Sequence, residues 1–223
     1  LSAADGCSGS ADLRVMADAT IASAIETRAD ELTEDGEYSV SGTCVTVTVT
    51  AGDDAAGKQA VTDGATDLWI PRSLAWSTVS IDTESVENLG SVAVTPLVVV
   101  APREAASAMG WPDLEFSWAL VVGGEAGAVL SDPVGTAEGR ATLSAVQAVV
   151  GTDADTDQTQ LVRALTQVAR STTETVTDAF TASTAGQTPL LTAGSEQAVI
   201  QHNTAGGPSL VAVYPVEGTY AFD

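Results

Sequence analysis

The chain has 223 residues, 44% of them hydrophobic, with 8 Lys plus Arg against 30 Asp plus Glu and a formal net charge of -22. That length and apolar content suffice for one or two compact units. The charge excludes nucleic acid and anionic membrane surfaces as partners, since nothing here could neutralise a run of phosphates, and no run of about 18 apolar residues could span a bilayer.

The chain begins at Leu1 rather than Met, so an upstream segment is expected to have been removed. Cys7 and Cys44 flank the first strand–helix unit. Without a metal-type CxxC spacing they read as a disulfide, which implies an oxidising, exported location. A lipid anchor on Cys7 behind the weak lipobox Ala4-Asp5-Gly6, and a reduced buried pair, are the alternatives.

"DLRVMA" reads as a buried strand, and "TIASAIETRADEL" places Ile21, Ala24, Ile25, Ala29 and Leu32 on one helical face. "CVTVTVT" alternates strictly and is β-branched, hence a strand. "DAAGKQAVTDG" is a short helix closed by Gly64, and "TDLWI" a short strand ended by Pro71. The order β-α-β-α-β builds a parallel sheet with right-handed crossovers. "SVAVTPLVVVAP", residues 91–102, is apolar and interrupted by Pro96. Proline cannot donate to a ladder, so a break or a change of sheet is expected there, and Thr95-Pro96 reads as a hinge between two lobes.

Beyond it come the strand "GAVLSD", a helix from Thr136 to Val150 and the helix "QTQLVRALTQVAR". A capping box, Ser171 with Glu174, then opens a helix through Phe180. "SEQAVIQHN" is a further short helix and "SLVAVYP" a strand.

Few residues point to chemistry. Asp153, Asp155 and Asp157 imitate the start of a calcium loop, but Gln158 and Ala164 stand where Gly and Glu are needed, so the loop reads as solvated. "VVGGEAG" lacks both GxGxxG and a following Lys-Ser/Thr. His202, the single histidine, falls in the last turn of a helix, where a polar cap is welcome. With no second histidine a two-His metal site is impossible, and a Ser-His-Asp triad could be built only around His202, with no GxSxG elbow present. No enzyme, metal or cofactor is expected. The tryptophans read mainly as packing groups, with Trp69 and Trp76, around Pro71-Arg72-Ser73, the better placed to line a cleft.

"LRVMADATI" after an N-terminal Cys, "CVTVTV", "TDLWIPRSLAW", "SVAVTPLVVVAP", "LSDPVGTAEGRATL", "SEQAVIQHN" and "VAVYPVEGTYAFD" follow one another in this order. Together they resemble the exported solute-binding-protein-like domain of actinobacteria. That group is a branch of the type II periplasmic-binding-protein superfamily and often precedes a von Willebrand factor A domain. No DxSxS metal motif of that second domain occurs here.

The resemblance implies an α/β fold of two lobes, each a mostly parallel sheet flanked by helices. Residues 1–95 plus 215–223 would form lobe 1, and 96–214 lobe 2. It also implies a small ligand held between the lobes at strand C-termini and helix N-termini, as open α/β sheets do in general. By position, the ligand-binding set is Thr20, Ser73, Thr95, Thr136, Ala137, Ser195 and Tyr214, with Asp18, Ala19, Arg72 and Glu196 beside it. The expected function is extracytoplasmic solute binding, at the cell surface or secreted, with a membrane transporter or a fused von Willebrand factor A domain as partner. The alternative is a cell-surface recognition or adhesion module on the same scaffold. Asp18 and Glu196 would repel an anion unless paired, and the hydroxyl-rich set suits a neutral or weakly anionic ligand.

Overall fold

The computed structural model describes residues 7–34, 39–73, 86–113, 115–123, 127–152, 169–186 and 190–222, with 159, 162, 165, 166 and 188. Trp76, the loop around Asp153, Asp155 and Asp157, and most of the helix expected over 158–170 lie outside these residues. The chain divides into two compact units, Leu1–Gly90 and Ser91–Asp223.

The first unit is built on four strands: β1 (Gly9–Asp18), β2 (Ser39–Val40), β3 (Thr43–Gly52) and β4 (Leu68–Ile70). They lie in the order β2-β3-β1-β4. β1 is parallel to both β3 and β4, and only the short β2 opposes its neighbour. The parallel order follows from the two connecting helices, α1 (Ala22–Glu34) and α2 (Asp54–Thr62). Along β3 the valines at 45, 47 and 49 are half-buried and Cys44, Thr46, Thr48 and Thr50 exposed, the period-2 pattern of a strand with one covered face. Val47 and Val49 pack with Leu13, Ile21, Leu68 and Ile70 around buried Val15, Ala17 and Ala22.

Asp53 caps α2 by accepting Ala56 N–H at 2.8 Å. Gly57 lies against the indole of Trp69, where a Cβ would come within 2.0 Å of Nε1, so only glycine lets helix and strand approach this closely. The Cys7–Cys44 disulfide is present, with its Cα atoms 5.4 Å apart. A sulfur engaged in that bond cannot carry a lipid, so the lipid-anchor alternative for Cys7 falls away.

In the second unit β5 (Thr95–Pro102) is flanked by β8 (Thr192–Ser195) on one side and β9 (Leu210–Val213) on the other, while β10 (Ala221–Phe222) pairs with its beginning. All three run antiparallel to β5. β6 (Leu130–Ser131) is parallel to β7 (Thr172–Thr173), and Ala128 bridges Leu191 in parallel. The expectation of a mostly parallel sheet therefore needs correction here: the sheet is mixed, with β5 opposed to its neighbours. The parallel rule applies to strands joined by a crossover within the sheet, such as β8 and β9, whereas β5 enters from the preceding unit.

Pro96 does not break this strand. It faces Ala221 of β10, and pairing with β8 begins only at Leu97, so the missing N–H falls where the second ladder has not started. The division between units thus lies at Gly90, before Thr95, and residues 215–222 stay with the second unit through β10.

The helices of this unit are α3 (Arg103–Met109), α4 (Trp118–Gly123), α5 (Ala137–Thr152), α6 (Val176–Ala185) and α7 (Glu196–Thr204). Its core joins Val98 and Val100 of β5 to Phe180, Val199 and Leu210. α6 starts four residues later than a Ser171–Glu174 capping box would place it. Thr172 and Thr173 are taken by β7, and Thr175 caps the helix instead, accepting Asp178 N–H at 3.1 Å and donating to its carboxylate at 2.7 Å. α3 went unpredicted although Gly110 (φ 106) ends it in the left-handed conformation, with Trp111 N–H bonded to Ala106 C=O. Among the described residues no helix is long and apolar enough to cross a membrane.

Candidate functional site

On the first unit the loops after β1 and β4 meet through charge. Asp18, the last residue of β1, is 9% exposed. Its Oδ1 accepts Thr20 N–H at 2.9 Å and the Thr20 hydroxyl, and receives Arg72 Nη1 at 3.3 Å. Arg72 N–H in turn donates to Asp54 Oδ1 at 3.1 Å, at the start of α2. Asp18 is therefore a paired carboxylate, the condition under which it need not repel an anion. The structure brings Thr20 and Arg72 together on one side chain, and Ser73 follows as a buried residue, 7% exposed.

On the second unit three of the expected site hydroxyls cap or brace helices. Thr136 Oγ1 accepts Gly139 N–H at 3.0 Å and lies 2.8 Å from Asp132 C=O and 3.0 Å from Ser131 Oγ. Ser195, fully buried, accepts Ala198 N–H at 3.3 Å at the start of α7. Thr95 Oγ1 accepts Gln197 N–H at 3.1 Å, fastening the start of β5 to the same helix end. Ala137 is buried as the first residue of α5. Tyr214, 54% exposed, donates its hydroxyl to Glu196 Oε1 at 2.9 Å. That bond to a carboxylate raises the Tyr214 pKa above its ordinary 10.0.

The "GTAEG" sequence at 135–139 is explained by this packing. Gly139 rests on the backbone of the turn that precedes α5: a Cβ there would meet Ser131 C=O at 2.4 Å and Asp132 C=O at 2.7 Å. Glu138 is a site neighbour that sequence reasoning missed. It is 2% exposed, and its Oε1 lies 3.5 Å from Ser195 Oγ. A Glu in the first turn of an amphipathic helix looks like a solvated residue, and it is the tertiary packing around the start of α5 that buries it.

Other expected candidates are structural. His202 Nε2 lies 3.1 Å from Pro208 C=O, and its ring meets Phe180 edge-on with centroids 5.6 Å apart. Trp118 is buried, with its indole N–H donated to Gly218 C=O at 3.0 Å. Trp111 carries Arg103 over its ring at 5.3 Å, a cation–π contact. Among the described residues no group of three or more His, Cys, Asp or Glu could hold a metal ion.

Residues 13–223 match the family model described as bacterial extracellular solute-binding protein. No curated protein matches the chain. Several solved structures share the fold. The tungstate-binding protein TupA from Desulfovibrio alaskensis G20 is 12% identical with a TM-score of 0.59, over 95% of this chain and 79% of its own. Iron-bound HitA from Pseudomonas aeruginosa is 14% identical with a TM-score of 0.56, over 91% and 69%. The periplasmic binding protein AfuA from Actinobacillus pleuropneumoniae, with fructose-6-phosphate bound, is 12% identical with a TM-score of 0.56, over 95% and 71%. These likenesses show an α/β periplasmic-binding-protein fold, and the family match spans nearly the whole chain. The chain belongs to the bacterial extracellular solute-binding protein family.

Proposed function

We infer that the chain is a solute receptor and that residues at the strand and helix ends of each unit serve in binding a small ligand. Thr20 and Ser73 would serve on the first, and Thr95, Thr136, Ala137, Ser195 and Tyr214 on the second. The observation that carries this reading is local. Thr20 and Ser73 follow the C-terminal ends of β1 and β4, Tyr214 follows that of β9, Thr136, Ala137 and Ser195 stand at helix starts and Thr95 is bonded to the start of α7. Strand C-termini and helix N-termini are where open α/β sheets take their ligands. The hydroxyl-rich set favours a neutral or weakly anionic solute. A net charge of -22 adds to this, since it weakens an anion site, though screened over roughly 8–10 Å at physiological salt.

The domain works outside the cytoplasm, displayed at the cell surface or secreted, and the Cys7–Cys44 disulfide suits that compartment. It delivers its solute to a membrane transporter or reports it to a von Willebrand factor A domain on the same polypeptide. Native mass spectrometry of the purified protein, followed by a thermal-shift screen of oxyanions, sugars and amino acids, tests the reading. A solute that raises the melting temperature, with the rise reduced in both Thr20→Ala and Thr136→Ala, supports it. A solute whose binding ignores one unit entirely overturns it.

A further inference from the structure

One corner of the second unit carries a half-buried carboxylate that its own chain leaves without a counter-charge. Glu196 opens α7, and Tyr214 follows the end of β9. The Tyr214 hydroxyl donates to Glu196 Oε1 at 2.9 Å. No other hydrogen bond or ion pair reaches that carboxylate among the described residues. On the first unit, by contrast, Asp18 is neutralised by Arg72 and Asp67 by Arg14. Thr95 stands at the same corner as Glu196, since its hydroxyl accepts the N–H of Gln197.

A carboxylate has room for about four hydrogen bonds, and Tyr214 supplies one of them. That bond fixes how the carboxylate is turned and leaves Oε2 as an open acceptor. The Tyr214 hydroxyl is itself taken as a donor, so the pair offers a solute acceptors and negative charge. A charge drawn partly out of water is costly unless it is paired. An ammonium group brought to Oε2 would offset that cost through a charge-assisted hydrogen bond.

Resting on the solute-binding reading above, we propose that Glu196 is the specificity-determining residue of the second unit and that it takes an ammonium group of the solute. Tyr214 is its positioning residue. The solute class is that of primary amines and amino acids, the latter neutral overall as zwitterions and so in keeping with the hydroxyl-rich set.

The test is isothermal calorimetry with ethanolamine, putrescine, L-alanine, L-leucine and L-arginine. Each is compared with the compound in which a hydroxyl group replaces its ammonium. Wild type is expected to bind at least one probe about tenfold or more tightly than its hydroxyl match, equivalent to about 1.4 kcal/mol. Binding of ethanolamine or putrescine marks an amine receptor, and binding of the others alone marks an amino-acid receptor. Glu196→Gln keeps an acceptor but no charge, and is expected to bind the probe and its match equally. Glu196→Ala repeats the comparison if the glutamine variant does not fold. Tyr214→Phe keeps the charge but frees the carboxylate to turn, and should weaken the ammonium probe less than Glu196→Gln does. A merely structural role for the pair would lower the melting temperature of these variants and leave the preference for ammonium intact.

A preference that survives in folded Glu196→Gln or Glu196→Ala reflects attraction to the net charge of the chain and overturns the proposal. So does a wild type that binds none of the ammonium probes. If that wild type still binds a sugar or an oxyanion in the thermal-shift screen, the role of Glu196 alone is removed. A wild type that binds no solute of any class removes the broader reading as well.

Discussion

Asp18 Oδ1 and Arg72 Nη1 stand 3.3 Å apart, with side chains 10% and 16% exposed, so the end of β1 and the loop after β4 are joined by a largely buried ion pair. Removing one partner of such a pair strands the other charge away from water. Asp18→Ala should therefore destabilise the protein by about 3 kcal/mol. The urea midpoint measures it, and a loss under about 1 kcal/mol would mean that the pair is effectively solvated.

Tyr214 and Glu196 offer a titration readout on the second unit. The hydrogen bond to the carboxylate favours the protonated phenol, so the folded pKa lies above the unfolded one. Its contribution is present below the unfolded value and is lost as pH rises through the folded value. Glu196→Gln should return the Tyr214 midpoint towards 10.0, followed by phenolate absorbance against a Tyr38→Phe, Tyr220→Phe background that leaves Tyr214 as the one tyrosine of the chain. An unchanged midpoint would show that the bond does not persist in solution.

Arg14 grips Asp67 through Nη2 to Oδ1 at 2.7 Å and Nε to Oδ2 at 3.0 Å, and its backbone N–H adds a third bond at 2.9 Å. The guanidinium beside it holds the Asp67 carboxyl down at about 2 from an ordinary 3.8. A depressed acid contributes stability above its unfolded pKa and loses it as pH falls through the folded one. The pair's contribution should thus vanish between about pH 4 and pH 2. Carboxyl carbon NMR should place the Asp67 midpoint near 2 in wild type and close to 3.8 in Arg14→Ala.

Reducing Cys7–Cys44 opens a cross-link spanning a sequence separation of 37. In the chain-entropy account this costs about 3–4 kcal/mol. The melting temperature in strong reductant, or of a Cys7→Ser, Cys44→Ser double variant, should fall accordingly. Ellman titration of the unfolded, non-reduced protein should find no thiol.

The α5 start separates two causes of stability. Thr136→Ala removes the hydroxyl that accepts Gly139 N–H and should cost about 1 kcal/mol as a lost cap. Gly139→Ala pushes a methyl group into the carbonyls of Ser131 and Asp132 and should cost about 1–3 kcal/mol as overpacking. Because both act at one junction, their effects should fall short of additive in a double-variant cycle. Full additivity would separate cap from packing.

Much of this protein was legible in order along the chain. The Val–Thr alternation at 45–50 and the glycine ending α2 each act through neighbours a few residues away, and both were read correctly. The family resemblance, carried by seven short stretches, placed the fold. α3 carried its own stop signal in Gly110, and α6 offered two equivalent caps, Ser171 and Thr175. Local sequence could not choose between those caps, because the choice was made by β6 pairing with residues 172–173. The opposition of β5, the tolerance of Pro96, the pairing of Asp18 with Arg72 and the burial of Glu138 depend on partners between 54 and 127 positions away in sequence. Periodicity and capping report the chain's contact with water and with itself over one turn or two. Which acid is solvated and which is buried beside a helix end is decided only when distant strands and helices close around it.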